Sequence, residues 1–69
     1  MKQYGVCIGD SISRDNFMFT KAKNKAEAQK RGNLYRRRWD ISEPIIKIVE
    51  IPGSLVEDED AKRDYAVHF

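Results

Sequence analysis

The sequence contains few of the residue types that carry catalysis, metal binding or covalent cross-links. Among its 69 residues there is one cysteine, Cys7, and one histidine, His68. A single cysteine cannot form a disulfide within the chain, and it is typical of a reducing cytoplasm. One cysteine and one histidine are also too few side-chain ligands for a zinc site. We therefore expect a cytoplasmic protein with no metal and no cofactor.

Other features that would indicate a particular function are missing as well. No apolar run approaches the ~20 residues that span a membrane, and residues 1–11 lack the apolar length and the cleavage site of a signal peptide. There is no phosphate-binding glycine loop, and the acidic run 57–60 lacks the spacing and the glycine of an EF-hand loop. Neither Ser11 nor Ser13 has an evident base to activate it. Cys7 is interpreted as a small strand residue and not as a nucleophile, so we predict that the protein is not an enzyme.

Charge is plentiful, and it is distributed unevenly along the chain. The net charge is +2, but residues 1–39 carry ten Lys or Arg and three Asp or Glu, whereas residues 40–69 carry three and eight. The two parts therefore have charge balances of +7 and −5. A chain of this length can form only one domain. We predict that residues 1–69 form a single domain with two opposed charged surfaces.

The stretch 21–40, KAKNKAEAQKRGNLYRRRWD, predicts one amphipathic helix that ends at Asp40. Asn24 is a favourable N-cap, and Glu27 three residues later completes a capping-box pattern. Gly32 costs stability in a helix interior. We expect it where the helix lies too close to a sheet for a side chain, with a helix break at this glycine as the alternative.

One face of the predicted helix is small at its beginning and aromatic at its end. A period of 3.6 residues brings together Ala28, Gly32, Tyr35 and Trp39. We expect this wedge to pack across a sheet. The arginines of the last turn lie at the negative end of the helix dipole, where they stabilise the helix whether or not they bind anything.

Four segments predict strands. They are residues 1–8, 17–22, 45–51 and 65–69, the last because Tyr65, Val67 and Phe69 alternate with other residues. The acidic segment Leu55–Arg63 predicts a solvated loop or a short irregular helix. The sequence thus predicts an α+β fold, β-β-α-β-β, in which a small antiparallel sheet of order 2-1-3-4 carries one helix on one face.

The strand patterns also predict which side chains lie on each face of the sheet. Phe17 and Phe19 are expected to point inward. The other face is expected to be partly open, and it would carry Cys7, Met18, Ile45, Val49 and Ile51. The third strand is apolar on both sides. It is therefore either partly covered on both faces or part of an apolar patch that a partner or a second copy covers.

The one pattern above background is a basic cluster in and just before the helix, with Tyr35 and Trp39 interleaved. Lys and Arg bind phosphates and drive nucleic-acid affinity through counterion release. A basic helix face can also serve solubility alone, or it can steer association with an acidic protein surface. The predicted binding residues are Lys23, Lys25, Lys30, Arg31, Arg36, Arg37 and Arg38.

The stretches KQYGVCI, FMFTKAKNKAEAQKRG and IIKIVEI give the chain a layout that resembles small accessory proteins of phages and mobile elements, some anti-CRISPR proteins among them. The resemblance covers most of the chain and is one of element order, not of motif. It implies that basic surface residues engage the nucleic-acid-binding groove of a host complex. The matching residues would be Lys30, Arg31, Arg36, Arg37 and Arg38. The acidic run 57–60 is no part of that pattern.

Taken together, these patterns favour a non-enzymatic binding protein. Its basic helix face would engage an acidic partner, which is either a nucleic acid or a nucleic-acid-binding host complex. The alternative is a structural or oligomeric module that binds a protein partner, or a second copy of itself, through the open face of the sheet.

Overall fold

An antiparallel hairpin begins the fold. In a computed structural model, which describes all of residues 1–69, strand β1 spans Lys2–Ile8 and strand β2 spans Phe17–Ala22. A short 3-10 turn over Arg14–Asn16 leads into β2, and the Ser13 side chain accepts a hydrogen bond from the Asp15 backbone N–H at its start. Both predicted strands are confirmed.

The pairing register of this hairpin places Phe17 and Phe19 on the Gly5 face of the sheet. Phe17 lies opposite Cys7, and Phe19 lies opposite Gly5. Residues directly opposite in antiparallel strands share a face. Gly5 leaves room for the rings, since a Cβ there would be 3.0 Å from Phe19 Cε1. Met18 packs on the opposite face, against the cluster that contains Tyr4 and Val6, and not on the face of Cys7 where the sequence predicts it. The two faces of β2 are therefore the reverse of those predicted.

Helix α1 spans Lys25–Arg38 and begins as the sequence predicts. The Asn24 side-chain oxygen accepts a hydrogen bond from the Glu27 backbone N–H at 2.9 Å. The Glu27 carboxylate accepts one from the Lys23 backbone N–H at 2.9 Å, one residue earlier than in a standard capping box. Glu27 therefore satisfies a free N–H group and places its charge at the positive end of the helix dipole.

Gly32 lies where α1 comes closest to the sheet. A Cβ at this position would be 2.9 Å from both Ile45 Cδ1 and Val6 Cγ1. Real Cβ atoms do not approach other heavy atoms so closely, so a side chain here would push the helix away. The predicted close approach is confirmed, and the helix continues unbroken through the glycine.

Strand β3 spans Ile45–Ile51 and pairs antiparallel with the other side of β1, which gives the sheet order β2-β1-β3. This is the order predicted for the first three strands. The register on β1 shifts by one residue at Ile46, because Ile8 lies opposite Ile45 and the residue before Ile8 lies opposite Lys47. Such an irregularity re-aims the flanking side chains. Ile45 therefore packs on the α1 side, and its predicted place on the other face is wrong.

The predicted fourth strand is a helix. Helix α2 spans Glu59–His68, after a 3-10 turn over Gly53–Leu55. The Asp58 carboxylate caps it by accepting a hydrogen bond from the Ala61 backbone N–H at 3.0 Å. Of the two predictions for the acidic segment, a solvated loop or a short irregular helix, the helix is the closer, since Asp58, Glu59 and Asp60 form the cap and first turn of α2. Negative charge is favourable there. The fold is α+β with a three-stranded antiparallel sheet and two helices.

The sheet separates two hydrophobic clusters, one under each helix. The cluster under α1 contains Tyr4, Val6, Ile8, Ala22 and Ala28. The cluster under α2 contains Cys7, Phe17, Val49, Ile51 and Ala66. The face predicted to be partly open is therefore covered by α2. Neither helix has the length and apolar character needed to cross a membrane.

Candidate functional site

Four of the predicted binding residues surround one exposed leucine on the outer side of α1. Leu34 is 52% exposed. Lys30 and Arg31 precede it by four and three residues, and Arg37 and Arg38 follow it by three and four; all four are exposed. These positions are nearest neighbours on a helix surface. We call Leu34 and these four cations the α1 basic face.

Most cations of the α1 basic face have no anionic partner within the chain. Arg31 Nε lies 3.9 Å from Glu27 Oε1, which is a loose contact. Lys30, Arg37 and Arg38 take part in no salt bridge. Their charges are left to solvent ions or to a ligand. A surface of uncompensated positive charge attracts anions and raises their local concentration.

The other three predicted binding residues lie outside the α1 basic face. The half-buried Arg36 donates hydrogen bonds to Asn33 Oδ1 at 2.9 Å and to the Ser42 carbonyl at 3.3 Å. It therefore fastens α1 to the segment that follows the helix. Lys25 lies on the β3 side of α1. Lys23 lies in the turn before the helix.

Two aromatic side chains adjoin the α1 basic face. Tyr35 is 38% exposed and Trp39 is 61% exposed. Only the small half of the predicted wedge, Ala28 and Gly32, is buried. Tyr35 lies at the edge of the sheet beside Met18 of β2. Tyr35 is only partly covered and Trp39 is mostly exposed, so the prediction that the whole wedge packs across the sheet holds for its small half alone.

The C-terminal end of α1 fixes the position of Trp39. The Ile41 backbone N–H donates to the Arg36 carbonyl at 2.8 Å, and Asp40 adopts a left-handed backbone with φ 54°. This arrangement is a Schellman motif, which ends the helix and satisfies its last carbonyls. Trp39, held inside the motif, has the Arg38 Cζ atom 5.8 Å from the centre of its ring. That distance is within the range of a cation–π contact.

A groove of about 240 Å³ lies between α1 and the edge strand β2. It combines charged, apolar and aromatic side chains. The lining residues are Met18, Thr20, Arg31, Leu34, Tyr35 and Arg38. Two guanidinium groups therefore lie next to flat and apolar surface. The groove suits a ligand that carries both negative charge and planar apolar groups.

Cys7 and His68, the only cysteine and the only histidine, lie on the α2 side of the sheet. Burial raises the pKa of the Cys7 thiol, and a backbone hydrogen bond at Ser13 and the charge of Lys47 offset part of that shift. A buried thiol with a raised pKa stays protonated at neutral pH and is a weak nucleophile. His68 is exposed, with Nε2 3.7 Å from Asp64 Oδ1. No group of three or more His, Cys, Asp or Glu side chains could hold a metal ion.

Sequence reasoning located the cations but missed the exposed apolar side chains between them. A signal was available for Leu34, because a residue two positions from the buried Gly32 must lie on a different face of the helix. No comparable signal exists for Trp39, since its position is set by the Schellman motif that ends α1.

Comparisons with known proteins supply no relative for this chain. No protein-family model, no curated protein and no solved structure matches it. The fold and the site together define a small α+β domain that presents an uncompensated cationic helix face beside an aromatic groove.

Proposed function

We propose that this protein is a non-enzymatic binding protein whose α1 basic face engages nucleic acid. The observation that carries this proposal is the set of exposed cations without an internal partner, Lys30, Arg37 and Arg38. Lys and Arg side chains that neutralise phosphates release condensed counterions, which supplies essentially all of non-specific affinity. Lys30 to Arg38 spans about 12 Å of helix axis. That length faces roughly three phosphates along one strand of a duplex.

The exposed apolar side chains distinguish this face from one that serves solubility alone. A solubility face would expose charge with little apolar area. The α1 basic face instead surrounds Leu34, and both Leu34 and the adjoining Trp39 are more than half exposed. Apolar surface exposed within a rim of charged residues is typical of an interaction site.

We place this activity in the cytoplasm of a microbial host, in an accessory protein of a phage or mobile element. The nucleic acid would be free or held within a host complex. The support for this setting is the resemblance of the order β-β-α-β, over residues 2–51, to small phage accessory and anti-CRISPR proteins, and α2 is no part of that pattern. Four of the five matching residues lie on the α1 basic face, and the fifth, Arg36, is occupied within the fold.

The test is the gel mobility of labelled DNA and RNA with the purified protein at two salt concentrations. A triple variant, Lys30→Gln, Arg37→Gln and Arg38→Gln, removes the three unpaired cations. We expect its affinity to fall. The slope of log K against log salt should also fall, by about one for each lost phosphate contact.

A control variant with the same net charge distinguishes the effect of the α1 basic face on binding from the effect of the protein's net charge. Lys2→Gln, Ser11→Asp and Ser54→Asp together lower the net charge by the same three, at exposed positions outside α1. We expect this variant to retain most of the binding. Equal loss in both variants would contradict the assignment to α1. No shift of DNA or RNA by the unmodified protein at low salt would contradict nucleic-acid binding itself.

The alternative function, a module that binds a protein partner or a second copy through the sheet, loses its structural basis. It depended on an open sheet face that carries Cys7, Val49 and Ile51. These residues are buried under α2 in one cluster with Ala66. Binding through that face would require α2 to leave the sheet.

A further inference from the structure

The exposed aromatic rings beside the α1 basic face are not explained by phosphate contacts. The ring centres of Tyr35 and Trp39 lie 6.3 Å apart, with their planes at 54°. Arg38 lies over the indole, and it lines the β2 groove together with Arg31 and Tyr35. A duplex presents its phosphates outward and stacks the flat faces of its bases inside. Exposed rings would therefore find no stacking partner on a duplex backbone.

We propose that the ligand of this site is single-stranded nucleic acid, with an unpaired base stacked on Trp39 and neighbouring phosphates held by Arg31 and Arg38. This inference rests on the proposed function and narrows its ligand. Proteins that bind single strands combine a cationic groove, which follows the backbone, with aromatic side chains on which bases stack. Every base has a flat face, so such a site tolerates many sequences.

The positions of Arg38 and Trp39 join these two requirements in one place. The Arg38 guanidinium has no anionic partner within the chain, and its Cζ atom lies 5.8 Å from the centre of the indole ring. A phosphate bound to Arg38 therefore brings the base of the same nucleotide within reach of the ring. The ring planes of Tyr35 and Trp39 are tilted by 54°, so Tyr35, which lines the groove, offers a separate surface and not a second face for the same base.

Trp39 is the only tryptophan of the chain, so its fluorescence reports this site alone. The unmodified protein is titrated with oligothymidylate of about ten nucleotides and with a duplex of the same length. We expect saturable quenching of Trp39 by the single strand, because a base stacks on the indole. The duplex is expected to bind about tenfold more weakly, and with little quenching, because it lacks that contact.

Substitutions of Trp39 test the stacking contact separately from the charge. Trp39→Leu should weaken single-strand binding about tenfold, as measured by the anisotropy of a labelled strand, and leave duplex binding unchanged. Trp39→Phe keeps a flat ring and should retain most of the preference for the single strand over the duplex. The matched control is Phe69→Leu, which removes a 74% exposed ring at the end of α2 and should change neither affinity. Circular dichroism of each variant checks that the fold is intact.

The possible outcomes separate this inference from the proposed function. Equal binding of both forms, without quenching and without an effect of Trp39→Leu, overturns the single-strand inference but leaves nucleic-acid binding in place. No binding of either form overturns both proposals. Quenching by polyglutamate in place of oligothymidylate also overturns both and assigns the groove to an acidic protein segment.

Discussion

The two helices cover opposite faces of one sheet, but their charged side chains have different roles. The two cations of α2, Lys62 and Arg63, are paired within the chain, and so is Arg14 in the turn before β2. The pairs are Arg14–Asp60, Arg14–Asp64, Lys62–Glu59 and Arg63–Glu59. On α1 the single ion pair is the loose contact of Arg31 with Glu27. The positive charge of α1 is therefore available to a ligand, whereas that of α2 is largely consumed by the fold.

The cations of α2 also take part in its packing. Lys62 Nζ and Arg63 Cζ lie 4.5 Å and 5.1 Å from the centre of the Phe19 ring. Arg63 further donates hydrogen bonds to the carbonyls of Arg14 and Phe17, at 2.6 Å and 3.0 Å. Basic content alone therefore does not mark a binding surface. What distinguishes the α1 basic face is that three of its four cations, Lys30, Arg37 and Arg38, have no anionic partner within the chain.

The largest effect on the free energy of unfolding is expected from removing the buried phenyl ring of Phe17 on the α2 side of the sheet. Phe17 is buried under α2, so Phe17→Ala should lower the free energy of unfolding by about 3–5 kcal/mol. The measurement is urea denaturation followed by circular dichroism. Phe17→Leu, which keeps most of the apolar volume, should cost about 1.5 kcal/mol or less and remain measurable if the alanine variant is unfolded.

The control for this truncation is Phe69→Ala at the exposed end of α2. It removes the same ring from a site without a core around it, where only the contact with Tyr65 is lost. A cost of about 1 kcal/mol or less is expected. Similar costs for Phe17→Ala and Phe69→Ala would show that α2 does not cover a core. The contrast between an α2 that is part of the core packing and an α1 with free cations would then be wrong.

A smaller effect is expected from enlarging the contact between α1 and the sheet. In Gly32→Leu, the new Cβ atom alone would lie 2.9 Å from side-chain atoms of Val6 and Ile45, and the rest of the leucine side chain needs further space. Overpacking should cost about 1–3 kcal/mol, reduced by the roughly 1 kcal/mol that leucine gains over glycine in a helix. Ala26→Leu on the exposed side of α1 should change stability by no more than about 0.5 kcal/mol. An equally neutral Gly32→Leu would mean that α1 does not lie against the sheet at this point.

The first two thirds of the fold follow from local sequence signals. The Asn24 cap, the space required at Gly32 and the β-branched run of β3 each indicate an element by themselves, and the strand order follows from chain direction. The C-terminal region misleads because Tyr65, Val67 and Phe69 also fit an alternating pattern. The competing signal was the N-cap Asp58 followed by two acidic residues, which is typical of a helix start. Ten residues are too few for periodicity to decide between the two.

The composition of the candidate site was predictable, but its boundaries were not. Helical spacing brings Lys30, Arg31, Arg37 and Arg38 together around Leu34 whatever the rest of the chain does. Arg36 does not belong to the α1 basic face because it donates a hydrogen bond to the Ser42 carbonyl. The position of that carbonyl is set by the cap after α1. The partners of Arg14 and Arg63 likewise belong to distant segments. Which cations remain unpaired is thus a property of the tertiary structure.

The smallest effect on stability is expected from removing one arginine from each side of the sheet. These two variants test most directly whether the cations of the α2 side are paired and those of α1 are free. Arg14→Gln removes the contacts of the guanidinium with Asp60 and Asp64, while the Arg14 carbonyl that accepts from Arg63 stays in place. These groups are substantially exposed, so the expected cost is at most about 1 kcal/mol. Arg37→Gln removes a cation without a partner. It should lower stability by less than about 0.5 kcal/mol, because only the favourable interaction of its charge with the negative end of the helix dipole is lost.

The salt dependence of the two variants checks that both costs are electrostatic. Salt at about 1 M shortens the screening length to roughly 3 Å, so the cost of Arg14→Gln should shrink as salt is added. The smaller cost of Arg37→Gln should shrink as well, because an interaction with the helix dipole is also screened. Urea midpoints measured at low and high salt would show two curves converging on the stability of the unmodified protein. A low-salt cost of Arg37→Gln as large as that of Arg14→Gln would mean that Arg37 has an internal partner, and the α1 basic face would then contain one free cation fewer.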